Sequence, residues 1–283
     1  MLATYEPIAM SAAGYAFAIL MGLLWGSFAN VCIYRWPPSD AFPNGRSVVK
    51  PGSHCGACQQ PIAWYDNVPL LSYLWLRGKC RNCKAGFSAR YLFVEALTGA
   101  LFALCWWSAL HGGALWEPFD LRLERFVIEA AFCLVLVIVT FIDLDHKLIL
   151  NLLMYPAIVV FYFATWLLPE RHWWDGLIGL AIGYGLPWLI GELYFRIRGV
   201  EGLGLGDAVL LGLFGAFFGW KGVMVSLFGG ALIGTVMALP VIVTKGREGM
   251  RSIEVPFGPY LCAAALFWLL AEPWMQLSFR LFE

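Results

Sequence analysis

The chain contains 283 residues, of which 60% are hydrophobic and 13% are charged, and its mean hydropathy is +0.71. Soluble domains average roughly 45–50% apolar and about 25% charged residues, so this composition predicts a membrane protein and excludes disordered, collagen-like and secreted disulfide-scaffold proteins. Nineteen basic residues balance nineteen acidic residues, and a net charge of zero gives no reason to expect nucleic acid as a partner.

A helix that crosses a bilayer requires about 20 predominantly apolar residues. Stretches that meet or approach this length predict an all-α polytopic membrane protein with about eight transmembrane helices. In chain order they cover residues 7–34, 96–110, 126–142, 148–168, 177–194, 208–220, 223–243 and 256–270. Glu129 and Glu192 are charges inside, or at the edge of, otherwise apolar spans.

The distribution of basic residues predicts the orientation, because cytosolic loops are enriched in Lys and Arg. If the amino terminus lies outside and all spans cross, the outer loops contain only Arg122, Arg125, Arg171, Lys221 and Arg280. The other fourteen basic residues then lie on the cytosolic side. Residues 1–34 are therefore predicted to form the first transmembrane helix, residues 35–95 a cytosolic insertion, and residues 96–283 a membrane domain of about seven helices.

The cytosolic insertion contains two C-x2-C hooks, which are formed by Cys55 with Cys58 and by Cys80 with Cys83. Two residues between thiolates allow one turn to present both sulfurs to the same ion, and a second hook completes a tetrahedral shell of four sulfurs. Because the cytosol is reducing, zinc explains this pattern better than two disulfides. A closed four-thiolate shell predicts a structural Zn²⁺ ion rather than a catalytic one.

Two aspartates, Asp143 and Asp207, are predicted at membrane depth, where an ionisable residue marks a functional site unless it is paired. Asp143 ends the third span and Asp207 begins the sixth, so both carboxylates are expected at the cytosolic face. Two adjacent carboxylates cannot both ionise comfortably, so such a pair shares a proton and can activate water, as in aspartic proteases. Asp145 competes with Asp143 for this role, and a helix-capping or ion-pairing role remains the alternative for each acid.

The chain resembles the bifunctional type IV prepilin peptidases, which are membrane aspartic proteases of the GxGD kind. Residues 26–37 (GSFANVCIYRWP) match the opening signature of that family, the cysteine hooks match its cytosolic loop, and residues 256–259 (PFGP) match its closing signature. The catalytic acids of the family map onto Asp143 and onto Asp207 of Gly204-Leu205-Gly206-Asp207, and this likeness favours Asp143 over Asp145. Two positions depart from the family pattern, because Leu150 replaces a proline and Val209 replaces a common lysine.

The resemblance implies a function. The substrates would be prepilins and pseudopilins of type IV pilus and type II secretion systems, cleaved after a glycine at the cytosolic face of the bacterial inner membrane. Residues 96–283 would be the peptidase domain, and residues 35–95 would be associated with N-methylation of the new amino terminus by S-adenosylmethionine. The residues that bind this methyl donor are not indicated by the sequence. Glu201 and Asp145 are candidates for receiving the basic leader.

Other functions remain open at this point. The chain could be a related membrane aspartic protease without methylation. It could also be a non-catalytic adaptor that presents a zinc module to a secretion machine. A transporter is a third alternative, because helices broken by glycine and carrying acids also form ion sites, although two acids near one face of the membrane argue against it.

Overall fold

The computed structural model describes residues 6–111, 118–199, 204–251 and 256–280. These residues form eight α-helices, two short 3-10 turns and no β-strand. The α-helices are α1 (Glu6–Arg35), α2 (Leu71–Trp75), α3 (Ala89–His111), α4 (Phe119–His146), α5 (Asn151–Ala164), α6 (Trp173–Arg198), α7 (Leu205–Arg251) and α8 (Gly258–Arg280). The predicted all-α membrane fold is confirmed.

Among the described residues, five helices are long and apolar enough to cross a bilayer. They are α1 from Ala12, α3, α4, α6 and the part of α7 that ends at Pro240. The apolar segment Asn151–Leu167, which combines α5 with the following 3-10 turn, is shorter. The chain is therefore a multi-pass membrane protein.

The chain divides into two compact units. The first unit contains Met1–Glu117 and Glu129–Ile138, and the second contains Pro118–Ile128 and Val139–Glu283. The predicted insertion lies in the first unit, and both candidate catalytic aspartates lie in the second.

In the first unit, α1 packs closely against α3 because small residues face each other. A Cβ atom on Gly22 would lie 2.7 Å from the Cα atom of Gly99, so no larger residue fits at this crossing without displacing a helix. Asn30 donates a hydrogen bond from its side chain to the carbonyl oxygen of Tyr91 at 3.1 Å. At the end of α1, the Arg35 guanidinium donates to the carbonyl oxygens of Ser47 and Gly52, which attaches the insertion to this helix.

In the second unit, α6 and α7 pack through glycines. The Gly179 position is in direct contact with the backbone of Gly215 and Gly219, and Gly183 contacts the backbone of Leu211. Spacings of four residues between glycines allow such close approach of membrane helices. Gly179, Gly183, Gly215 and Gly219 all lie at such close approaches.

The sequence predicts separate spans over residues 208–220 and 223–243, whereas the structure joins them in the hydrogen-bonded helix α7. The predicted boundary between the two spans coincides with an irregular residue of α7, because Gly219 has a φ angle of +74°. A left-handed residue does not have regular α-helical geometry, so the helix is locally irregular at the predicted boundary. Glycine permits this conformation because it lacks a Cβ atom.

Arg171 satisfies a backbone group at this interruption. Its guanidinium donates a hydrogen bond to the carbonyl oxygen of Phe217 at 2.6 Å and forms an ion pair with Glu272 of α8 at 2.7 Å. The same guanidinium lies over the Phe217 ring, 4.6 Å from its centroid. A carbonyl that is freed inside a membrane protein requires such a partner, so Arg171 stabilises the break in α7.

Candidate active site and metal centre

Asp143 lies in the last turn of α4 and is buried, with 5% of its surface exposed. The helix ends three residues later, where Lys147 adopts a left-handed conformation (φ +51°) and donates its backbone N–H to the Asp143 carbonyl oxygen at 2.8 Å. Asp145 is exposed. Because residues two apart point about 200° apart around a helix, the two acids have opposite environments, and the structure separates Asp143 from its competitor.

Asp207 lies in the first turn of α7, and its backbone N–H donates to the carbonyl oxygen of Gly204 at 3.1 Å. The Asp207 carboxyl group lies over Gly204, whose Cβ position is 3.4 Å from Oδ2. The carboxyl groups of Asp207 and Asp143 are close enough to interact electrostatically, and Cys262 of α8 interacts with both. The two predicted acids, which are 64 positions apart in the chain, are thus brought to one site.

The start of α8 forms a wall of this site. A Cβ atom on Gly258 would lie 2.5 Å from Oδ2 of Asp143 and 3.2 Å from its Cγ atom. The backbone N–H of Gly258 is directed at the same carboxyl group. Ile149 lies against Gly258 and also against Gly206 of the Gly-x-Gly-Asp segment. Glycine at both positions therefore allows two backbone segments to approach the carboxyl groups.

One oxygen of the pair carries an unused hydrogen-bonding capacity. Oδ2 of Asp143 is buried and has no hydrogen-bond partner among the described residues. Buried polar atoms are almost always hydrogen-bonded, so this oxygen is available to a water molecule or to a substrate.

Sequence reasoning identified both acids but missed the residues that enclose them. Gly258, Ile149 and Cys262 were not assigned a role at the acid pair. The signal that could have identified Gly258 is its position between Pro256 and Pro259 in a short motif, because a glycine confined in this way often marks a close backbone approach.

The four hook cysteines converge in the first unit. All four Sγ atoms lie within 4.8 Å of one another, and the Sγ atoms of Cys55 and Cys83 are 3.7 Å apart. A Zn–S bond of about 2.3 Å places sulfurs roughly 3.8 Å apart in a regular tetrahedron, so this donor set fits Zn²⁺ in spacing and in chemistry. The cluster could bind a metal ion.

Backbone geometry prepares the first hook for a cation. Hydrogen bonds from the backbone N–H groups of Cys58 and Ala57 lower the pKa of the Cys55 thiol, and a hydrogen bond from the backbone of Gln60 lowers the pKa of the Cys58 thiol. A lower pKa favours the thiolate, which is the form that binds metal. Beside the cluster, Arg81 donates two hydrogen bonds to Asp66, at 2.7 and 2.6 Å, and this pairing holds the pKa of Asp66 below its ordinary value.

Comparisons with known proteins agree with this arrangement. The model of the bacterial peptidase A24 N-terminal domain matches residues 20–109, and that of the type IV leader peptidase family matches residues 130–239. The chain belongs to the type IV leader peptidase family. The first match covers most of α1, the cysteine hooks and most of α3, and the second covers both Asp143 and Asp207.

Several curated relatives align over most of the chain. Proteins named prepilin leader peptidase/N-methyltransferase from Aeromonas hydrophila and Pseudomonas aeruginosa are 34% and 32% identical over 275 and 273 residues. These alignments cover 90% of the chain and 90% of the first relative, and 88% of the chain and 89% of the second. A relative of the same name from Neisseria gonorrhoeae is 33% identical over 86% of each chain. No solved structure matches the chain.

The departures from the family pattern fit their positions in the fold. Leu150 precedes the first residue of α5 with a φ angle of −78°, which is close to the value that a proline ring imposes. Val209, in the first turns of α7, is 3% exposed and packs as an apolar core residue. Neither replacement removes one of the paired carboxyl groups.

Proposed function

We propose that this protein removes the leader peptide of prepilins and pseudopilins and methylates the amino terminus that cleavage creates. The convergence of two acids from separate helices, Asp143 and Asp207, supports the peptidase activity. The name shared by relatives that align over most of their length supports both activities.

Asp143 and Asp207 are the proposed catalytic residues. A dyad that shares one proton holds a water molecule between the carboxyl groups, and the ionised member removes a proton from this water as it attacks the scissile carbonyl carbon. The protonated member hydrogen-bonds to the carbonyl oxygen. A proton is then delivered to the departing amine, and no covalent intermediate forms. The unpartnered Oδ2 atom of Asp143 is suited to binding the water.

The proposed location is the bacterial inner membrane, with the amino terminus in the periplasm and the dyad at the cytosolic face. This orientation follows from the excess of Lys and Arg in the predicted cytosolic loops. A basic leader requires acidic residues at this face. Asp145 is exposed beside the dyad and fits this role, whereas the other candidate, Glu201, lies outside the described residues.

The proposed metal is a structural Zn²⁺ ion bound by Cys55, Cys58, Cys80 and Cys83. Their sulfur spacing supports this assignment, and a filled four-sulfur shell leaves no position for a substrate. The proposed methyl donor is S-adenosylmethionine, which supplies an electrophilic methyl group on a positively charged sulfur.

The peptidase proposal is tested with Asp143→Asn and Asp207→Asn in the purified protein, with a prepilin as substrate. Each variant is expected to lose leader cleavage, because an amide cannot exchange the proton that the dyad requires. Asp120→Asn is the matched control, since it makes the same change on an exposed side chain in the first turn of α4, and it is expected to retain cleavage.

Cleavage by both dyad variants at the parent rate would contradict the mechanism and favour a non-catalytic adaptor. The mass of the product amino terminus tests the second activity. A product that stays unmethylated in the presence of S-adenosylmethionine would indicate a related membrane aspartic protease without methylation.

A further inference from the structure

A cavity of about 490 Å³ lies within the first unit. Its wall is formed by the end of α1, the cysteine insertion and the beginning of α3. Pockets for cofactors and drug-sized ligands have volumes of roughly 300–1,000 Å³, so the cavity is large enough for a ligand of nucleoside size. The dyad does not contribute to it.

The inner wall of the cavity carries charge. Glu95 is 9% exposed, and its Oε2 atom accepts a hydrogen bond from the backbone N–H of Leu70 at 2.9 Å. The Ser27 side chain also hydrogen-bonds to this carboxyl group. No Lys or Arg pairs with Glu95 in the described part of the chain. A buried carboxylate without a cationic neighbour is costly, and a positively charged ligand would offset this cost.

The same wall also offers a positive charge. Arg35 is 7% exposed and lines the cavity, and within the described ranges its guanidinium donates to two neutral carbonyl oxygens, those of Ser47 and Gly52. The cavity thus presents one buried carboxylate and one buried guanidinium. This combination suits a ligand that carries both a cation and a carboxylate.

Aromatic side chains complete the lining. Tyr34, Tyr73, Phe87 and Tyr91 all contribute to the wall. Aromatic rings bind the flat face of a purine by stacking. The size, the opposite charges and the rings together fit S-adenosylmethionine, which combines an adenine ring, a sulfonium cation and an amino acid group.

We propose that this cavity is the binding site of the methyl donor and that the Glu95 carboxylate is the counter-charge of its sulfonium group. The inference rests on the proposed methyltransferase function and assigns a site to it. Cys55 also lines the cavity, so the proposed zinc cluster supports part of its wall.

The test compares the affinities of S-adenosylmethionine and S-adenosylhomocysteine by isothermal titration calorimetry on the full chain in detergent. The second compound keeps the adenosine and the amino acid group but has a neutral thioether in place of the sulfonium. Glu95→Gln removes the charge and keeps an oxygen that can accept the hydrogen bonds of Leu70 and Ser27. Glu192→Gln, which alters a half-buried glutamate paired with Arg196 in the second unit, is the matched control.

In Glu95→Gln, the Kd of S-adenosylmethionine is expected to rise about tenfold or more, which is typical of losing an interaction with a charged group. The Kd of S-adenosylhomocysteine is expected to stay within about twofold of the parent value. Both affinities are expected to be unchanged in Glu192→Gln. Equal weakening of both compounds, or no change in either, would overturn the assignment of Glu95.

A second variant tests the cavity independently of Glu95. Ser88 is an exposed residue of the wall, and Ser88→Trp would place a large ring in the cavity. Binding of both compounds is expected to be lost while leader cleavage and zinc content are retained. Parent-like affinity for both in this variant would overturn the site. If the parent chain itself neither binds S-adenosylmethionine nor methylates a cleaved prepilin, the methyltransferase proposal fails and this inference fails with it.

Discussion

Replacing Gly258 with alanine is expected to inactivate the peptidase by displacing the carboxyl group of Asp143, which is proposed to be catalytic. The added Cβ atom would lie 2.5 Å from Oδ2 of Asp143, whereas ordinary contacts begin at 3.4 Å. The carboxyl group or the start of α8 must therefore move by about 0.9 Å, and a misplacement of about 1 Å in an active site costs on the order of 100-fold in rate. Gly258 does not have a left-handed φ angle, so the backbone itself tolerates alanine.

The assay is the initial rate of prepilin cleavage by purified protein in detergent, and kcat is expected to fall about 100-fold. Overpacking is also expected to lower the unfolding free energy by about 1–3 kcal/mol. Gly185→Ala is the matched control, because a Cβ atom on this α6 residue meets nothing within 4 Å. Binding of S-adenosylmethionine, which is proposed for the first unit, is expected to survive both changes. Cleavage by Gly258→Ala at the parent rate would refute the argument that α8 positions Asp143.

Two further predictions concern the metal cluster and the break in α7. Cys55→Ser is expected to lower the zinc content well below one ion per chain after dialysis against a chelator. Cys32→Ser, which changes a buried cysteine of α1, is expected to retain the parent zinc content. Mass spectrometry of the metal measures the zinc content of both variants, and zinc retained by Cys55→Ser would show that Cys55 is not a ligand. Arg171→Met is expected to lower the unfolding free energy by about 3–5 kcal/mol because it removes both the mostly buried ion pair with Glu272 and the hydrogen bond to the Phe217 carbonyl oxygen. Arg196→Met breaks a more exposed pair worth about 0.3–0.5 kcal/mol. Denaturant titration in mixed micelles compares the two variants, and equal losses would contradict the role of Arg171.

Much of the helical organisation could be predicted from the sequence, because hydropathy reports directly on which segments avoid water. The interruption of α7 shows the limit of this reasoning. Apolar content is continuous on both sides of Gly219, and its left-handed conformation depends on packing against α6 and on the guanidinium of Arg171. Hydropathy gives the two halves but not the hydrogen-bonded segment that joins them.

The two acids of the candidate site could be predicted from the sequence, but the residues around them could not. An acid at membrane depth is expensive, so Asp143 and Asp207 stood out against their apolar surroundings. The enclosure by Gly258 was not predictable in the same way, because 115 positions separate it from Asp143 and only the packing of α8 brings them together. The two buried charges of the cavity, Glu95 and Arg35, were missed for the same reason, since each lies at the polar end of an apolar helix, where a charge is unremarkable in sequence.

The left-handed residue Gly219 also limits where Asp207 can lie in the bilayer. The half-helix before it, Leu205 to Phe218, rises about 21 Å at 1.5 Å per residue, while the hydrocarbon layer is about 30 Å thick. A segment of this length cannot reach both surfaces, so Asp207 and Gly219 cannot lie at opposite boundaries of the hydrocarbon layer. Cleavage is therefore expected to respond to bilayer thickness, because a change in thickness moves at least one end of this segment relative to the aqueous boundary, and equal rates in short-chain and long-chain lipids would contradict this.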